Sequence, residues 1–138
     1  MPRFYFALDL RNDPVLIEEY ERWHRPENIW PTTLQSLRSS GIEELTIYRC
    51  GNRLIQVLEV APGFSFEDKR AADSANPEVL AWEEFMWQFQ QALPFAAAGQ
   101  KWLQMDRLFS LRETLGEKVA GSRSILKTVA TEPKSNGY

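Results

Sequence analysis

Two apolar runs joined by a pair of turn residues constrain this chain most. Residues 45–50 and 53–60 read as strands, and only Gly51-Asn52 lies between them. A glycine-containing pair between two such runs closes an antiparallel hairpin. Residues 3–10 supply another strand, with Phe4, Phe6, Leu8 and Leu10 on one face and Arg3, Tyr5, Ala7 and Asp9 on the other. What lies between these strands must therefore be a crossover that keeps them in one sheet.

That crossover has helical punctuation. Asp13 is a good N-cap and Pro14 suits a first helical position. A helix is expected to His24, with Leu16, Tyr20 and His24 on one stripe and Pro26 ending it. Pro31 opens a second helix, with Leu34 and Leu37 facing inward and Gly41 as its stop. Pro62-Gly63 closes the hairpin. Residues 64–75 leave a short helix open. Asn76-Pro77 repeats the cap-plus-proline signal, and a helix to about Leu93 follows, with Val79, Leu80, Trp82, Phe85, Met86 and Phe89 packing inward. A loop leads to a fourth strand over 102–111. The expected class is α+β: a ferredoxin-like split β-α-β with a four-stranded antiparallel sheet and helices on one face. Residues 1–112 form the domain and 113–138 a C-terminal tail, where the hydrophobic pattern fades.

The other sheet face bears Tyr5, Ala7, Tyr48, Ile55 and Val57, too apolar to be left in water. A second copy of the chain would cover it, so a homodimer with a partly wet cavity near the sheet is expected. The net charge of −3, with no block of like charges, argues against a nucleic-acid partner. No apolar stretch approaches a membrane span. Cys50 is the single cysteine, which excludes an internal disulfide framework and a cysteine metal cluster. A chain of 138 residues without disulfides reads as cytoplasmic.

His24 is the one histidine. Its imidazole is the side chain whose ordinary pKa lies near neutrality, and Tyr20 sits one helical turn before it. Because the following link is short, His24 and Trp30 must stay close. Trp23, Trp30, Trp82 and Trp87 all fall in or beside helices. Aromatic faces beside polar groups suit a carbohydrate, whose C–H faces pack on rings while its hydroxyls seek hydrogen bonds. Core packing is the competing role for each tryptophan, and capping a helix end the competing role for His24. Asp9, Asp106 and Arg107 form either a pocket charge group or a rim salt bridge.

The run Glu18-Glu19-Tyr20, then His24, then Ile29-Trp30-Pro31 resembles the signature of the L-rhamnose mutarotases, and the similarity extends over residues 3–111. The resemblance implies a dimeric α/β barrel that interconverts the α and β anomers of a 6-deoxy sugar without cofactor or metal. It implies a proton-donating role for His24 and substrate contact for Tyr20. The family's tandem tryptophan matches Trp82, but the second position is Glu83. A pocket tyrosine before the second strand is replaced by Leu45, and two residues are inserted between His24 and Ile29. These departures keep the proton donor and leave the sugar open, with L-fucose as the alternative to L-rhamnose. Trp30, Tyr48 and Glu83 complete the expected substrate-binding set, and Glu83 is also a candidate second proton partner. Competing classes are a cofactor-free oxygenase on the same architecture and a non-catalytic small-molecule-binding domain.

Overall fold

A computed structural model describes residues 2–117. Strand β1 (Arg3–Leu10) leads into helices α1 (Pro14–Trp23) and α2 (Pro31–Ser39). The hairpin β2 (Ile42–Cys50) and β3 (Arg53–Val60) follows, then α3 (Phe66–Ser74) and α4 (Pro77–Trp87). Two short strands, β4 (Gln90–Gln91) and β5 (Leu103–Gln104), precede the single turn α5 (Leu111–Thr114).

The antiparallel sheet has the order β2-β3-β1-β4, with β5 also paired to β1. Cys50 faces Arg53 across the hairpin turn, and Gly51 takes φ +60°, as the first central position of a II′ turn requires. The turn is tied to β1, since Leu10 N donates to the Asn52 carbonyl at 2.6 Å and Asn52 Nδ2 donates to the Leu10 carbonyl at 3.0 Å.

Alternation along the strands decides what each face carries. Phe6, Leu8 and Leu10 of β1 and Leu54, Leu58 and Val60 of β3 point toward the helices and are buried. Tyr20, Trp82, Met86 and Phe89 join them in the core, with Trp102. Phe66 closes one end of it, edge-on to both Phe4 and Phe6. The opposite face, with Tyr5 and Tyr48 exposed, has no helix over it among the described residues.

The caps are as expected. Asp13 Oδ1 accepts from Val15 N at 2.9 Å and from Leu16 N, and Asn76 Oδ1 accepts from Glu78 N and Val79 N. A cap of this kind contributes about 1 kcal/mol. Gly41 follows α2 at φ +95°, where its N–H bonds the Arg38 carbonyl at 3.2 Å.

Several expectations need correction. Helix α4 ends at Trp87, not near Leu93, because the chain turns to pair Gln90 with Leu10. Leu80 lies on the exposed side of α4. The fourth strand is not continuous over 102–111. Two short pieces share that edge of β1, and beyond Gln104 the chain leaves the sheet. The ambiguous stretch 64–75 contains a true helix, α3, capped by Ser65 Oγ on Asp68 N. Helix α5 spans the expected domain limit at residue 112, and residues 118–138 of the expected tail lie outside the described residues. No described helix is long and apolar enough to cross a membrane.

Candidate active site

Between the helices and the sheet lies a cavity of about 660 Å³. Tyr20 and His24 reach it from α1 and its C-cap, and Trp82, Glu83 and Met86 from α4. Lys69 and Asp73 come from α3, and Gln56 and Gln90 from the sheet. This volume lies in the range of small-ligand sites, and the wall mixes apolar and aromatic side chains with polar and charged ones.

His24 closes α1, where its backbone N–H bonds the Glu21 carbonyl at 3.1 Å. Its ring Nδ1 lies 2.7 Å from the Tyr20 carbonyl oxygen. A carbonyl only accepts, so Nδ1 carries a hydrogen and Nε2 is the nitrogen left for proton exchange. Burial pushes the His24 pKa below its ordinary value, partly offset by that carbonyl. The ring packs against Tyr20 at 4.3 Å and edge-on to Trp82 at 5.7 Å. The residue that ends α1 therefore also lines the cavity.

Tyr20 is 4% exposed, and burial holds its phenol proton far more tightly than usual. The Gln90 side chain is hydrogen-bonded to that phenol, while Gln90 Oε1 has no partner among the described residues. Thr33 Oγ1 is in the same position. Both residues line the cavity. Buried polar atoms are rarely left unpaired in native proteins, so this wall is suited to a polar occupant.

Glu83 is half-buried beside the cavity, and Lys101 Nζ approaches its carboxylate at 3.4 Å. Burial raises the Glu83 pKa, and the Lys101 ammonium opposes the rise. The environments of His24 and Glu83 thus push their proton affinities toward each other, histidine downward and carboxyl upward. Both groups face one cavity, and perturbed titratable groups in a cavity mark candidate functional sites.

Trp82 both walls the cavity and belongs to the core. Trp30 sits behind it, edge-on at 5.0 Å, and stacks on Phe85 with ring planes 6° apart. The expected closeness of His24 and Trp30 is realised through Trp82, which touches both. Trp30 itself supports the wall and does not line it. Tyr48 is not brought to this site. It is 60% exposed on the opposite face of the sheet, because Leu45 and Ile47 take the helix-facing positions of β2. The expected charge group of Asp9, Asp106 and Arg107 does not form in the cavity. Arg53 grips Asp9 through two bonds, at 2.8 and 3.2 Å, and Arg107 pairs with Glu113.

Sequence reading missed Lys69, Asp73, Gln56 and Gln90. Gln56 was visible as the polar position between Leu54 and Leu58 on the buried face of β3. Lys69 and Asp73 have ion-pair spacing on a helix, but their helix was the ambiguous one. Gln90 had no signal, because a two-residue strand has no period.

An α+β sheet protein with a histidine, a tyrosine, a carboxyl and an aromatic wall around one cavity has the form of a small polar-ligand site. More narrowly, the model of the L-rhamnose mutarotases matches residues 3–111. The chain belongs to that family, and it is an isomerase that interconverts sugar anomers. It is 44% identical over 115 residues to an L-fucose mutarotase of Xanthomonas campestris pv. campestris, which covers 83% of this chain and 92% of that one. A UPF0734 protein of Dictyostelium discoideum is 33% identical over 109 residues, 76% of this chain and 86% of that one. Among solved structures, the L-rhamnose mutarotase of Formosa agariphila superposes with a TM-score of 0.59 at 20% identity, over 80% of this chain and 99% of that one. Tetracenomycin F2 cyclase of Streptomyces glaucescens, a type-II polyketide cyclase, shares the fold at a TM-score of 0.54 and 12% identity, over 80% of this chain and 96% of that one.

Proposed function

We propose that this isomerase acts on L-fucose, with His24 and Glu83 as its proton-transfer pair. The observation that carries the sugar assignment is the 44% identity to an L-fucose mutarotase over most of both chains. The replacements at positions 45 and 83 agree with it, since they depart from the L-rhamnose pattern at the pocket wall.

Opening the pyranose breaks the bond between the anomeric carbon and the ring oxygen. The ring oxygen keeps the electron pair and takes a proton, while the anomeric hydroxyl gives one up and becomes a carbonyl. Protonated His24 supplies the first proton through Nε2, and the Glu83 carboxylate receives the second. Rotation about the neighbouring carbon–carbon bond turns the other carbonyl face to the hydroxyl. Closure then runs both transfers backwards. The pair starts and ends each cycle with one proton between its members, and no electrons leave the sugar. Tyr20, with its proton firmly held, serves as a hydroxyl partner and not as a base.

Exchange-transfer NMR on equilibrated sugars tests the assignment. L-fucose anomers are expected to exchange faster with enzyme than without, and faster than those of L-rhamnose. A larger acceleration for L-rhamnose would move the assignment to that sugar.

The homodimer and its α/β barrel rest on the bare sheet face. Tyr5, Ala7, Tyr48, Ile55 and Val57 share it by strand register. Large apolar patches on proteins mark interaction sites, and two such sheets packed face to face would close a barrel. This is also the place for Tyr48, as a contact between copies. Sedimentation at micromolar concentration is expected to give twice the chain mass; a single-chain mass rejects the dimer.

A further inference from the structure

We propose that the ion pair of buried Lys69 and partly buried Asp73 is the part of the cavity that reads sugar configuration, by gripping two adjacent hydroxyls of the pyranose. The proposal rests on the reading of this cavity as a monosaccharide site.

The pair is unusual first for its burial. Lys69 is 4% exposed, although a lysine stem normally carries its ammonium out to water. Its Nζ lies 2.5 Å from Asp73 Oδ2, one helical turn along α3. Asp73 Oδ1 also accepts from Ser36 Oγ of α2, at 3.5 Å. The carboxylate thus bridges two helices at the cavity wall. Taking an ammonium and most of its carboxylate partner out of water costs roughly as much as their attraction returns, so such a pair is poor at stabilising a fold. Apolar residues of similar size would hold α3 as well.

Its position supplies the other half of the argument. Both residues line the cavity that holds His24, Tyr20 and Glu83. Glu83 is near enough to feel both charges, the Lys69 ammonium favouring its ionised form and Asp73 opposing it. Other polar groups also line the wall, Thr33, Gln56 and Gln90 among them, but a buried ammonium beside a carboxylate presents a charged donor and a charged acceptor side by side. It donates to one hydroxyl oxygen while the carboxylate accepts from the neighbouring hydroxyl, and the two must be presented together. L-fucose and L-rhamnose differ in configuration at C2 and C4, so adjacent-hydroxyl geometry is what separates them. A site built around such hydrogen bonds rejects an analogue lacking one of the hydroxyls, because a charged group in the wall then loses one of its hydrogen bonds.

The test is a binding cycle read by titration calorimetry. The parent and the Lys69→Met/Asp73→Leu double variant are titrated with L-fucose, 2-deoxy-L-fucose and 4-deoxy-L-fucose. In the parent, loss of one of these hydroxyls is expected to weaken binding about 10–100-fold, the range for a hydrogen bond to a charged group. In the double variant that penalty should collapse to within a few fold. Asp73→Asn, nearly isosteric, serves as a second variant and should lose most of the same penalty. A parent that binds all three sugars equally, or variants that keep the full penalty, overturn the assignment. Anomer exchange on the same samples keeps the two readings apart. A parent that binds without exchanging loses the mutarotase reading while the cycle still decides the pair. A parent that binds none of the three overturns the pair's role, and if it still exchanges L-rhamnose anomers the mutarotase reading survives.

Discussion

Replacing His24 with glutamine is expected to lower enzyme-accelerated anomer exchange by about 10²–10⁴-fold, the usual worth of a positioned general acid or base. The imidazole is set for this work by the end of its own helix. Its Nδ1–H is committed to the Tyr20 carbonyl, which fixes the tautomer and the ring plane. Tyr20 and Trp82 then hold the ring from two sides. Glutamine can replace the hydrogen bond to the carbonyl but cannot carry a mobile proton at neutral pH. The fold should survive, because His24 is only partly buried and lies outside the central cluster. Exchange-transfer NMR reads the rate and chemical denaturation reads the fold. A variant that folds like the parent and exchanges anomers within a few fold of it would remove His24 from the chemistry.

The route from sequence to this site was uneven, for physical reasons. Proline and cap residues marked α1, α2 and α4 because their backbone preferences act locally. The period-2 pattern of β1 and the Gly51-Asn52 turn were equally legible. His24, Tyr20 and Trp82 line one cavity, and their closeness was legible because helical spacing and a short link leave little freedom. The family resemblance implied substrate contact for Tyr48, whereas alternation along β2 sets it on the other face of the sheet, away from this cavity. The fourth sheet position was misjudged because Trp102 and Leu103 read as strand onset, whereas the pairing to β1 lasts only two residues. Lys69 and Asp73 escaped notice because burial of an ion pair is a tertiary fact. Nothing in the run Phe66-Glu67-Asp68-Lys69 distinguishes a solvated lysine from one folded under a helix.

Replacing Glu83 with glutamine should have an effect of the same order as the loss of His24, about 10²–10⁴-fold on exchange, and should also change the shape of the pH profile. On the proposed mechanism the working form of the His24–Glu83 pair in the parent holds a single proton. Acidification adds a second and leaves no base for the anomeric hydroxyl. Alkalinisation removes the only one and leaves no acid for the ring oxygen. The rate of exchange should therefore be bell-shaped in pH, and its two apparent pKa values belong to the pair and not to either residue. In Glu83→Gln the carboxylate is gone and water must take the anomeric proton. Only the protonated state of His24 still matters, so the acid limb disappears and the residual rate levels off at low pH. It should fall as the pH rises through the His24 pKa. Burial pushes that pKa below the ordinary value of 6.5, which puts the midpoint of the fall below pH 6.5. Exchange NMR over a pH series, with the parent and the variant side by side, gives both profiles. If the variant kept an intact bell with both limbs in place, the second proton would have to travel through some other group, and Glu83 would be a binding residue alone.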